Sequence, residues 1–416
     1  MNEKQTRDEW IYRPRWAAAV LRQRLKAFPV VVVTGPRQVG KSTLLRAEPP
    51  FADFHYLDLD DLELRARVER DPDLPWEGRD RVVVDEVHRV PELLSALKAE
   101  VDRRSRRLRV VLAGSANLLL MSQVSESLAG RAAYIDLLPF AVGEWEGLTP
   151  PDLLPRLLKG EAPAEKQVRT KRNAAQEIHR GMLPPPRELA PPEVWWDAYV
   201  RTYLERDLRD LSQVQSLPDF RRVLELLALR TAQTVNESEV ATAIGLSQPT
   251  VHRWVNLLEV SQLLIRLPAF TTNRGKRLMK RPKYHLVDPG LAAFLCGLLS
   301  ADEIQGAQEH GALFETFGVL QVRVLASLLS PPAALFHWRT SDGKEVDLIA
   351  TQGRRMVAFE FKCSRKARSA DAGNLRLFRE LHPECRLGVL VYTGDQVQLL
   401  GDGIVALPWT VLAGLR

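Results

Sequence analysis

One stretch, residues 30–45, restricts the fold of this chain more than any other part of it. It reads VVVVTGPRQVGKSTLL. Four successive valines are typical of a strand that is buried on both faces. Residues 35–42 then match the phosphate-loop pattern G-x-x-x-x-G-K-[ST], and Thr43 with the two leucines after it begins a predicted helix. A strand, a glycine-rich loop and a helix in this order predict an α/β domain built around a bound nucleotide.

The residue types in the loop suit the chemistry of a triphosphate. Gly35 and Gly40 allow the tight turn that points successive backbone N–H groups at phosphate oxygens. Lys41 supplies a positive charge to the β- and γ-phosphates, and the Ser42 hydroxyl is a ligand for Mg²⁺. ATP and Mg²⁺ are therefore the expected cofactors, and the predicted contact residues are Gly35, Pro36, Arg37, Gln38, Val39, Gly40, Lys41, Ser42 and Thr43.

A second part of the site is expected at residues 81–86, which read RVVVDE. Three valines predict another buried strand, and Asp85 comes at its carboxyl end, where parallel sheets bind their ligands. Asp85 is expected to hold Mg²⁺, largely through water, and Glu86 to act as general base on the attacking water. The alternative is a surface acidic pair that merely ends a strand.

A third predicted strand, residues 108–113, leads into GSAN at 114–117. Here the chain resembles the AAA+ ATPases, and the resemblance implies that Ser115 is the polar sensor of the γ-phosphate, with Asn117 as second candidate. The same resemblance makes Arg131 an arginine finger that a neighbouring subunit uses to stabilise transition-state charge. The alternative for Arg131 is a helix-end arginine that caps carbonyl groups.

The resemblance extends along most of the chain. It is carried by GPRQVGKST, LDLDD at 57–61, VVVDEVHRVP at 82–91, LAGSAN at 112–117, SLAGR at 127–131 and YVRTYLERDL at 199–208. These runs are similar to a prokaryotic AAA-type ATPase family whose members carry a C-terminal domain of unknown function. The resemblance implies a homo-oligomer, such as a ring of six subunits.

Composition limits the remaining choices. The chain has 416 residues, of which 45% are apolar and 26% charged, as in soluble globular proteins. No apolar stretch approaches the ~20 residues of a membrane span, and the first ten residues lack a signal-peptide core. We expect a cytoplasmic protein with no membrane partner. The net charge of +6 suits a polyanionic partner.

A helix-turn-helix pattern follows the proline-rich stretch 148–192. Residues 236–239 begin one helix, residues 245–247 form a turn, and residues 248–250 open a second helix. Residues 263–286 then predict a two-stranded wing. A winged helix in this position is found in AAA+ proteins that act on DNA, although winged helices also bind proteins. The predicted DNA contacts are Gln248, Thr250, His252, Arg253, Arg274, Lys276, Arg277, Lys280, Arg281 and Lys283.

The last part of the chain contains a second group of catalytic residue types. Glu315 is on a predicted amphipathic helix, Asp347 on one strand, and Glu360 and Lys362 on the same face of the next strand. Together they resemble the PD-(D/E)xK nuclease core, in which the acids bind a divalent ion and the lysine orients water. Domains of this kind also bind DNA without cleaving it, and ordinary salt bridges between strand residues are a further alternative.

We therefore predict an α/β protein with four parts. They are a P-loop AAA+ ATPase core (1–147), a linker and helical lid (148–215), a winged-helix domain (216–300) and a C-terminal α/β PD-(D/E)xK nuclease-like domain (301–416). The expected function is an ATP-dependent motor or remodelling ATPase, of translocase or branch-migration type, on duplex or branched DNA. The alternatives are an ATP-regulated, metal-dependent DNA nuclease and an antitoxin-like or signalling switch that binds protein partners.

Overall fold

Five parallel strands form the sheet of the amino-terminal domain. The computed structural model describes residues 12–104, 107–114, 128–168, 172–188, 191–202, 216–271 and 280–415. The strands are β1 (Val30–Thr34), β2 (His55–Asp58), β3 (Arg81–Asp85), β4 (Arg109–Ala113) and β5 (Ala132–Asp136). Their order is β2-β3-β4-β1-β5, and each neighbouring pair is parallel. The predicted α/β fold with a parallel sheet is confirmed.

Helices cover both faces of this sheet, which explains the unbroken runs of valine. The helices are α1 (Ala17–Ala27), α2 (Lys41–Ala47), α3 (Leu62–Arg70) and α4 (Leu93–Arg104). Val31 and Val33 belong to the buried cluster that includes Leu21 of α1, whereas Val30 and Val32 belong to the cluster on the other face. Because alternate side chains of a strand point to opposite faces, every position of β1 is buried.

The segment predicted as linker and lid is packed against the rest of the molecule. The short helix α5 (Val142–Trp145) ends the predicted core, and the elements of the segment after it are α6 (Leu153–Leu158), β6 (Lys166–Gln167), α7 (Ala174–Arg180), α8 (Pro184–Glu188) and α9 (Pro192–Tyr199). Strand β6 pairs with Gln396 and Val397, more than 200 residues further along the chain. The sequence did not indicate this pairing, because a two-residue strand of Lys and Gln has no hydrophobic pattern.

A small helical module comes next. It contains α10 (Leu217–Leu229), β7 (Gln233–Thr234), α11 (Glu237–Ile244), α12 (Gln248–Val260), β8 (Leu264–Leu267) and β9 (Lys283–Leu286). Gly245 ends α11 with a φ of 80°, and the Ser247 side chain caps α12 by accepting from the backbone N–H of Thr250. The three strands form an antiparallel sheet in the order β7-β9-β8. The two predicted helices and their turn are present, and β8 and β9 pair within residues 263–286.

The C-terminal domain is a mixed sheet with helices on both faces. Its elements are α13 (Pro289–Leu295), α14 (Ala301–Gly306), α15 (His310–Ser327), β10 (Ala334–Arg339), β11 (Glu345–Gln352), β12 (Arg355–Lys362), α16 (Gly373–Leu381), β13 (Cys385–Tyr392), β14 (Gln396–Gly401), β15 (Ile404–Pro408) and α17 (Trp409–Leu412). The strand order is β10-β11-β12-β13-β15-β14-β6. Strands β10 to β12 are antiparallel, and β13 returns parallel to β12 after α16.

Two contacts in this domain determine where its polar residues lie. Gly318 of α15 lies against the Phe361 ring, where a Cβ would collide, so the helix lies close to β12. Leu348 pairs with Phe359, which brings Asp347 of β11 beside Glu360 of β12. Among the helices of the described ranges, none combines the length and apolar composition that a membrane span requires.

Candidate functional site

The phosphate loop connects the buried strand β1 with α2, and its path requires glycine at two positions. Gly35 has a φ of 154°, and a Cβ at this position would collide with the carbonyl oxygen of Leu137. Gly40 has a φ of 94°, a conformation that other residues rarely adopt. In the rest of the predicted contact set, Pro36 and Val39 are buried, Ser42 and Thr43 are half-buried, and Arg37 and Gln38 are exposed.

Lys41 is held inside this loop. Its Nζ donates to the carbonyl oxygens of Gly35 and Pro36, both at 3.0 Å, and the residue is only 7% exposed. Burial lowers the pKa of Lys41 to about 8, although the negative charges of Glu86 and Asp85 oppose this effect. An ammonium gains more from charged phosphate oxygens than from neutral carbonyls. Lys41 is therefore in position to exchange these partners for a triphosphate.

Asp85 is buried at the carboxyl end of β3, next to the phosphate loop. It is 1% exposed, its Oδ1 accepts from the backbone N–H of Glu86 at 2.9 Å, and its Oδ2 accepts from the Tyr56 hydroxyl. Glu86 has a positive φ of 50°, and its Oε2 is 3.1 Å from Nδ1 of His88. Such backbone strain in a residue other than glycine is concentrated at functional sites. Asp85 and Ser42 are the residues that fit the Mg²⁺ of a nucleotide.

Tyr56 is a residue of this site that the sequence reasoning missed. It lies on β2, directly beside β3, and the Arg46 guanidinium is 4.3 Å from the centre of its ring. Burial and the neighbouring Asp85 raise the pKa of the Tyr56 hydroxyl, so it is a donor at all physiological pH values. The sequence held one signal for this contact. Tyr56 precedes the acidic run that begins at Asp58, and Asp58 pairs with Asp85 across β2 and β3.

Arg15 and Glu144 form a buried ion pair that braces the phosphate loop, and neither residue was predicted. Nε of Arg15 is 3.1 Å from Oε1 of Glu144, and the two side chains are 4% and 1% exposed. The same guanidinium donates to the carbonyl oxygens of Val39 and Leu138, at 2.9 and 2.5 Å, and stacks on Phe140 at 3.8 Å. The loop is thus bonded to the segment that follows β5.

Arg131 lies at the amino end of β5, the edge of the sheet opposite to the phosphate loop. It forms a two-point ion pair with Asp102 (2.6 and 2.9 Å) and donates to the carbonyl oxygen of Ala129 at 3.1 Å. It therefore cannot reach a nucleotide bound to its own subunit. A role in a neighbouring subunit stays a prediction, and it requires release from Asp102. The two sensor candidates, Ser115 and Asn117, lie outside the described residues.

Residues from three parts of the chain meet at Asp136, at the carboxyl end of β5. Its Oδ1 accepts from the hydroxyl of Thr34 at 2.5 Å and from Nε2 of Gln262 at 3.0 Å. Thr34 is the last residue before the phosphate loop, and Gln262 comes two residues after α12. Arg323 of α15 adds its charge: burial lowers the pKa of this guanidinium, and Asp136 opposes that effect.

The predicted DNA contacts lie in different environments. Gln248, His252 and Arg253 are exposed on α12, and Thr250 is half-buried. His252 is bonded to Glu237, with Nδ1 and Oε2 2.8 Å apart. Lys280 and Arg281 are exposed before β9, whereas Arg274, Lys276 and Arg277 lie outside the described residues.

Lys283 does not lie on an exposed wing, and this part of the prediction is wrong. The residue is 1% exposed because α15 and β11 cover its strand. Its Nζ is 2.7 Å from Oε1 of Glu315 and 3.6 Å from Oδ1 of Asp347, and it also contacts Glu345. Burial alone would lower the pKa of Lys283, but these three carboxylates outweigh it and raise the pKa. Lys283 is therefore a buried counter-ion of these carboxylates and not an exposed contact for DNA phosphates.

The four residues of the predicted nuclease-like set are close together. The charge of Asp347 acts on both Glu315 and Glu360, and Lys362 Nζ is 2.9 Å from Oε1 of Glu360. Burial and the neighbouring Asp347 raise the pKa of Glu360 to about 8 and that of Glu315 well above its usual range. Yet no group of three or more carboxylate, imidazole or thiol side chains in the described ranges is placed to hold a metal ion.

Three family models match the chain in succession. Residues 27–146 match an AAA domain, residues 173–302 match a domain of unknown function (DUF8612), and residues 310–412 match a second domain of unknown function (DUF4143). The first match confirms the resemblance to the AAA-type ATPases that the motifs predicted. The third agrees with the expected C-terminal domain and assigns it no activity.

Individual proteins are also similar to this chain. The uncharacterized proteins Mb2031c of Mycobacterium bovis and Rv2008c of Mycobacterium tuberculosis are each 32% identical to this chain over 397 residues, which is 95% of this chain and 83% of theirs. Among solved structures, the Walker-type ATPase of Pyrococcus abyssi is 16% identical with a TM-score of 0.38, over 70% of this chain and 97% of that chain.

Proposed function

We propose a function from the premise that this chain belongs to the protein family of Mb2031c and Rv2008c and carries an AAA-type P-loop ATPase domain. It hydrolyses ATP at the loop of residues 35–42 and couples hydrolysis to the engagement of DNA by the module of residues 216–286. The DNA is duplex or branched. The protein is a motor or remodelling ATPase rather than a nuclease.

Hydrolysis uses residues that are already close together. Lys41 leaves the carbonyls of Gly35 and Pro36 and stabilises the charge that develops on the transferred γ-phosphate. Glu86, whose Oε2 is 3.1 Å from Nδ1 of His88, accepts the proton of the attacking water. Mg²⁺ held by Ser42 and Asp85 would neutralise charge on the β- and γ-phosphates.

The observation that carries the coupling is the hydrogen-bonded path from Gln262 through Asp136 to Thr34. Gln262 comes two residues after the predicted DNA-reading helix α12, and Thr34 comes directly before the phosphate loop. A movement of the loop on hydrolysis therefore changes the environment of Gln262, a residue of the module itself. This connection supports a coupled machine rather than two independent domains.

A second contact links the C-terminal domain to the same loop. Oε1 of Gln321, on α15, accepts from the backbone N–H of Val142 at 3.0 Å. Val142 begins the short helix that carries Glu144, and Glu144 is bonded to Arg15, which holds the loop at Val39. Through these contacts the C-terminal domain also responds to the nucleotide state.

Exposed cations of the module support a DNA partner. Arg253 on α12, Arg266 on β8, and Lys280 and Arg281 before β9 are all exposed. Arg281 is 3.9 Å from Glu239, so one of these charges is partly balanced. Cations that contact phosphates without reading bases give affinity that is independent of sequence and falls with salt. We therefore infer binding to DNA structure rather than to a base sequence.

Assembly is the third element of the proposal. A homo-oligomer, such as a ring of six subunits, would bring Arg131 of one subunit to the nucleotide of the next. The Arg131 pair with Asp102 is at the surface, where water and salt screen an ion pair and leave it little effect on stability. Exchange of Asp102 for a γ-phosphate therefore costs little free energy.

The test is the ATPase rate with and without duplex, single-stranded and four-way-junction DNA. We expect one of these structures to stimulate hydrolysis severalfold, and the Glu86→Gln variant to hydrolyse ATP with none of them. The variant Arg253→Ala, Lys280→Ala, Arg281→Ala should keep the DNA-free rate but lose DNA affinity by about tenfold or more, since it removes three phosphate contacts.

The matched control replaces exposed cations outside the module, Lys159→Ala with Arg354→Ala, and should leave stimulation intact. If no DNA structure changes the rate of a protein that hydrolyses ATP, the DNA part of the proposal is wrong and the switch that binds protein partners takes its place. If the triple variant in the module and the double control variant outside it lose DNA affinity equally, the module is not the DNA site.

A further inference from the structure

A cavity of about 690 Å³ lies where residues 172–176 meet the C-terminal domain. On the side of the domain, its wall includes residues that directly follow three strands: Cys363 after β12, Thr393 after β13 and Trp409 after β15. The three strands are parallel neighbours, so their carboxyl ends meet at one edge of the sheet. Open α/β sheets bind their ligands at this edge, and the volume is within the usual range of small-molecule sites.

Backbone contacts hold this part of the wall in place. The backbone N–H of Thr393 donates to the carbonyl oxygen of Ser364 at 3.0 Å, which joins the chain after β12 to the chain after β13. A Cβ at Gly394 would collide with the carbonyl oxygen of Arg365, so glycine allows the two segments to approach each other. The cavity is therefore formed before any ligand arrives.

Polar side chains line most of the cavity, and two of them are arginines. Arg172 already has counter-ions, because its guanidinium is 3.0 Å from Glu146 and 3.3 Å from Glu177. Arg365 is exposed, and no carboxylate of the described residues forms an ion pair with it, although Asp395 is an acidic member of the lining. Arg365 is thus available to an anion from outside. The lining also offers hydroxyl and amide groups, from Asn173, Gln176, Gln305, Ser364, Thr393 and Thr410.

The amino end of α15 is at the same cavity. Its first residue, His310, lines the cavity, and the side chain of the preceding Glu309 does not cap the helix. The positive end of a helix of 18 residues favours a nearby anion. Arginine adds a planar fork of donors that matches the oxygens of a phosphate group. Both features select an anionic ligand, and the hydroxyl and amide groups suit a polar organic part.

Cys363 and His310 lie side by side in the wall, with Sγ 3.2 Å from Nε2. Burial raises the pKa of the Cys363 thiol to about 11 and lowers the pKa of His310. Both groups are therefore neutral near pH 7.5, and a protonated thiol is not a nucleophile. The pair forms part of a binding wall rather than a catalytic pair, and the thiol can report whether the cavity is occupied.

We propose that this cavity binds a small phosphorylated molecule whose phosphate group contacts Arg365. The hydroxyl and amide side chains hold the organic part of the ligand, which is required because a phosphate ion alone would leave most of the volume empty. The site is separate from the phosphate loop, and the inference does not require the ATP- and DNA-dependent function.

The experiment measures how fast Cys363 reacts with methyl methanethiosulfonate in the full chain at pH 8, by mass spectrometry of its peptide. A local readout is needed because the phosphate loop also binds phosphate. We expect about 20 mM inorganic phosphate or ribose 5-phosphate to slow the reaction about threefold or more, since the occupied cavity covers the thiol. Ribose, and potassium chloride at equal ionic strength, should leave the rate unchanged. Cys296, a half-buried thiol outside the lining, is the internal control.

Two variants test whether Arg365 is the contact. Arg365→Ala should lose the protection of Cys363. Arg354→Ala, which removes an exposed arginine at the opposite end of β12, should keep it. The proposal is overturned if neither phosphate compound slows the reaction of Cys363, if Cys296 is slowed equally, or if Arg365→Ala retains the protection.

Discussion

Two buried lysines, Lys41 and Lys283, lie beside carboxylates in different domains, and they differ in what surrounds the ammonium. Lys41 bonds two carbonyl oxygens, and burial lowers its pKa to about 8. Lys283 faces three carboxylates, which raise its pKa despite complete burial. Asp85 and Glu86 offset only part of the effect of burial on Lys41, whereas the three carboxylates around Lys283 more than offset it.

The difference teaches how to interpret a buried charge. An ammonium held only by carbonyls is stabilised when an anion arrives, so it belongs to a binding site. An ammonium among carboxylates already has its counter-ions, so it acts as a fixed part of the protein. The sign of the pKa change separates the two cases, although both lysines are more than nine-tenths buried.

Replacement of Lys41 is expected to have the largest effect on activity. Lys41→Ala removes the main charge that stabilises the transferred phosphate, and we expect ATP hydrolysis to fall about 10³-fold. The melting temperature should be unchanged or slightly raised, because the folded chain no longer has to bury this ammonium. Steady-state phosphate release and differential scanning fluorimetry measure the two quantities. A large loss of stability in Lys41→Ala would make the two lysines alike and would break the comparison.

Replacement of Lys283 should give the opposite result. Lys283→Met leaves three carboxylates facing one another, and breaking such a buried pair costs about 3–5 kcal/mol. The melting temperature should therefore fall by about 10 °C, while ATP affinity changes less than about threefold. Lys98→Met, on the exposed face of α4, is the control for loss of a lysine as such. Lys283→Met with wild-type stability would contradict the assignment of this residue as a fixed counter-ion.

The sequence predicted that Lys41 belongs to the phosphate loop, but it wrongly predicted that Lys283 is exposed on a wing. The difference has a physical reason. Around Lys41 everything needed is local: a valine strand, two glycines at fixed spacing and a helix start. The carboxylates of Lys283 come from 32 and more residues further along the chain. In sequence, Lys283 only continues the basic run that begins at Arg274, so it was assigned to the same exposed surface.

The same limit explains what was missed around ATP. Asp85 and Glu86 follow a recognisable strand, but the contact of Asp85 with Tyr56 depends on which strand lies beside β3. The contact of Arg15 with Val39 likewise depends on the path of the chain before α1. Hydrophobic patterns predict elements and their buried faces, whereas the neighbours of an element are set by the packing of the whole domain.

Measurements over a range of pH test the difference between Lys41 and Lys283 without any change of the protein sequence. With a pKa of about 8, Lys41 loses its proton between pH 7 and 9, and bound phosphate restores it, so ATP affinity should fall by up to about tenfold per pH unit above 8. Lys283 has a raised pKa, so its contribution to stability is complete below about pH 10 and is lost only at higher pH. In Lys283→Met the raised pKa values of Glu315 and Glu360 are no longer opposed by the ammonium, so these carboxyl groups titrate in this range and the melting-temperature difference from wild type should widen as the pH rises from 7.5 to 9. Lys41→Arg, which cannot lose its proton, should show a flat ATP affinity over the same range.

The smallest expected effect concerns the carboxylate that faces Lys41 rather than the lysine itself. In Tyr56→Phe, Asp85 keeps the backbone N–H of Glu86 but loses the hydroxyl that donates to its Oδ2. A buried carboxylate with one donor fewer gains more from a cation, and a hydrogen bond to a charged group is worth about 1.5 kcal/mol or more. The Mg²⁺ concentration for half-maximal ATP hydrolysis should therefore fall about tenfold. Tyr134→Phe, an exposed hydroxyl on β5, should leave this concentration unchanged. A higher Mg²⁺ requirement in Tyr56→Phe would instead mean that the hydroxyl orients Asp85 for the ion, and that Asp85, like Lys283, is held in place by its partners before any ligand arrives.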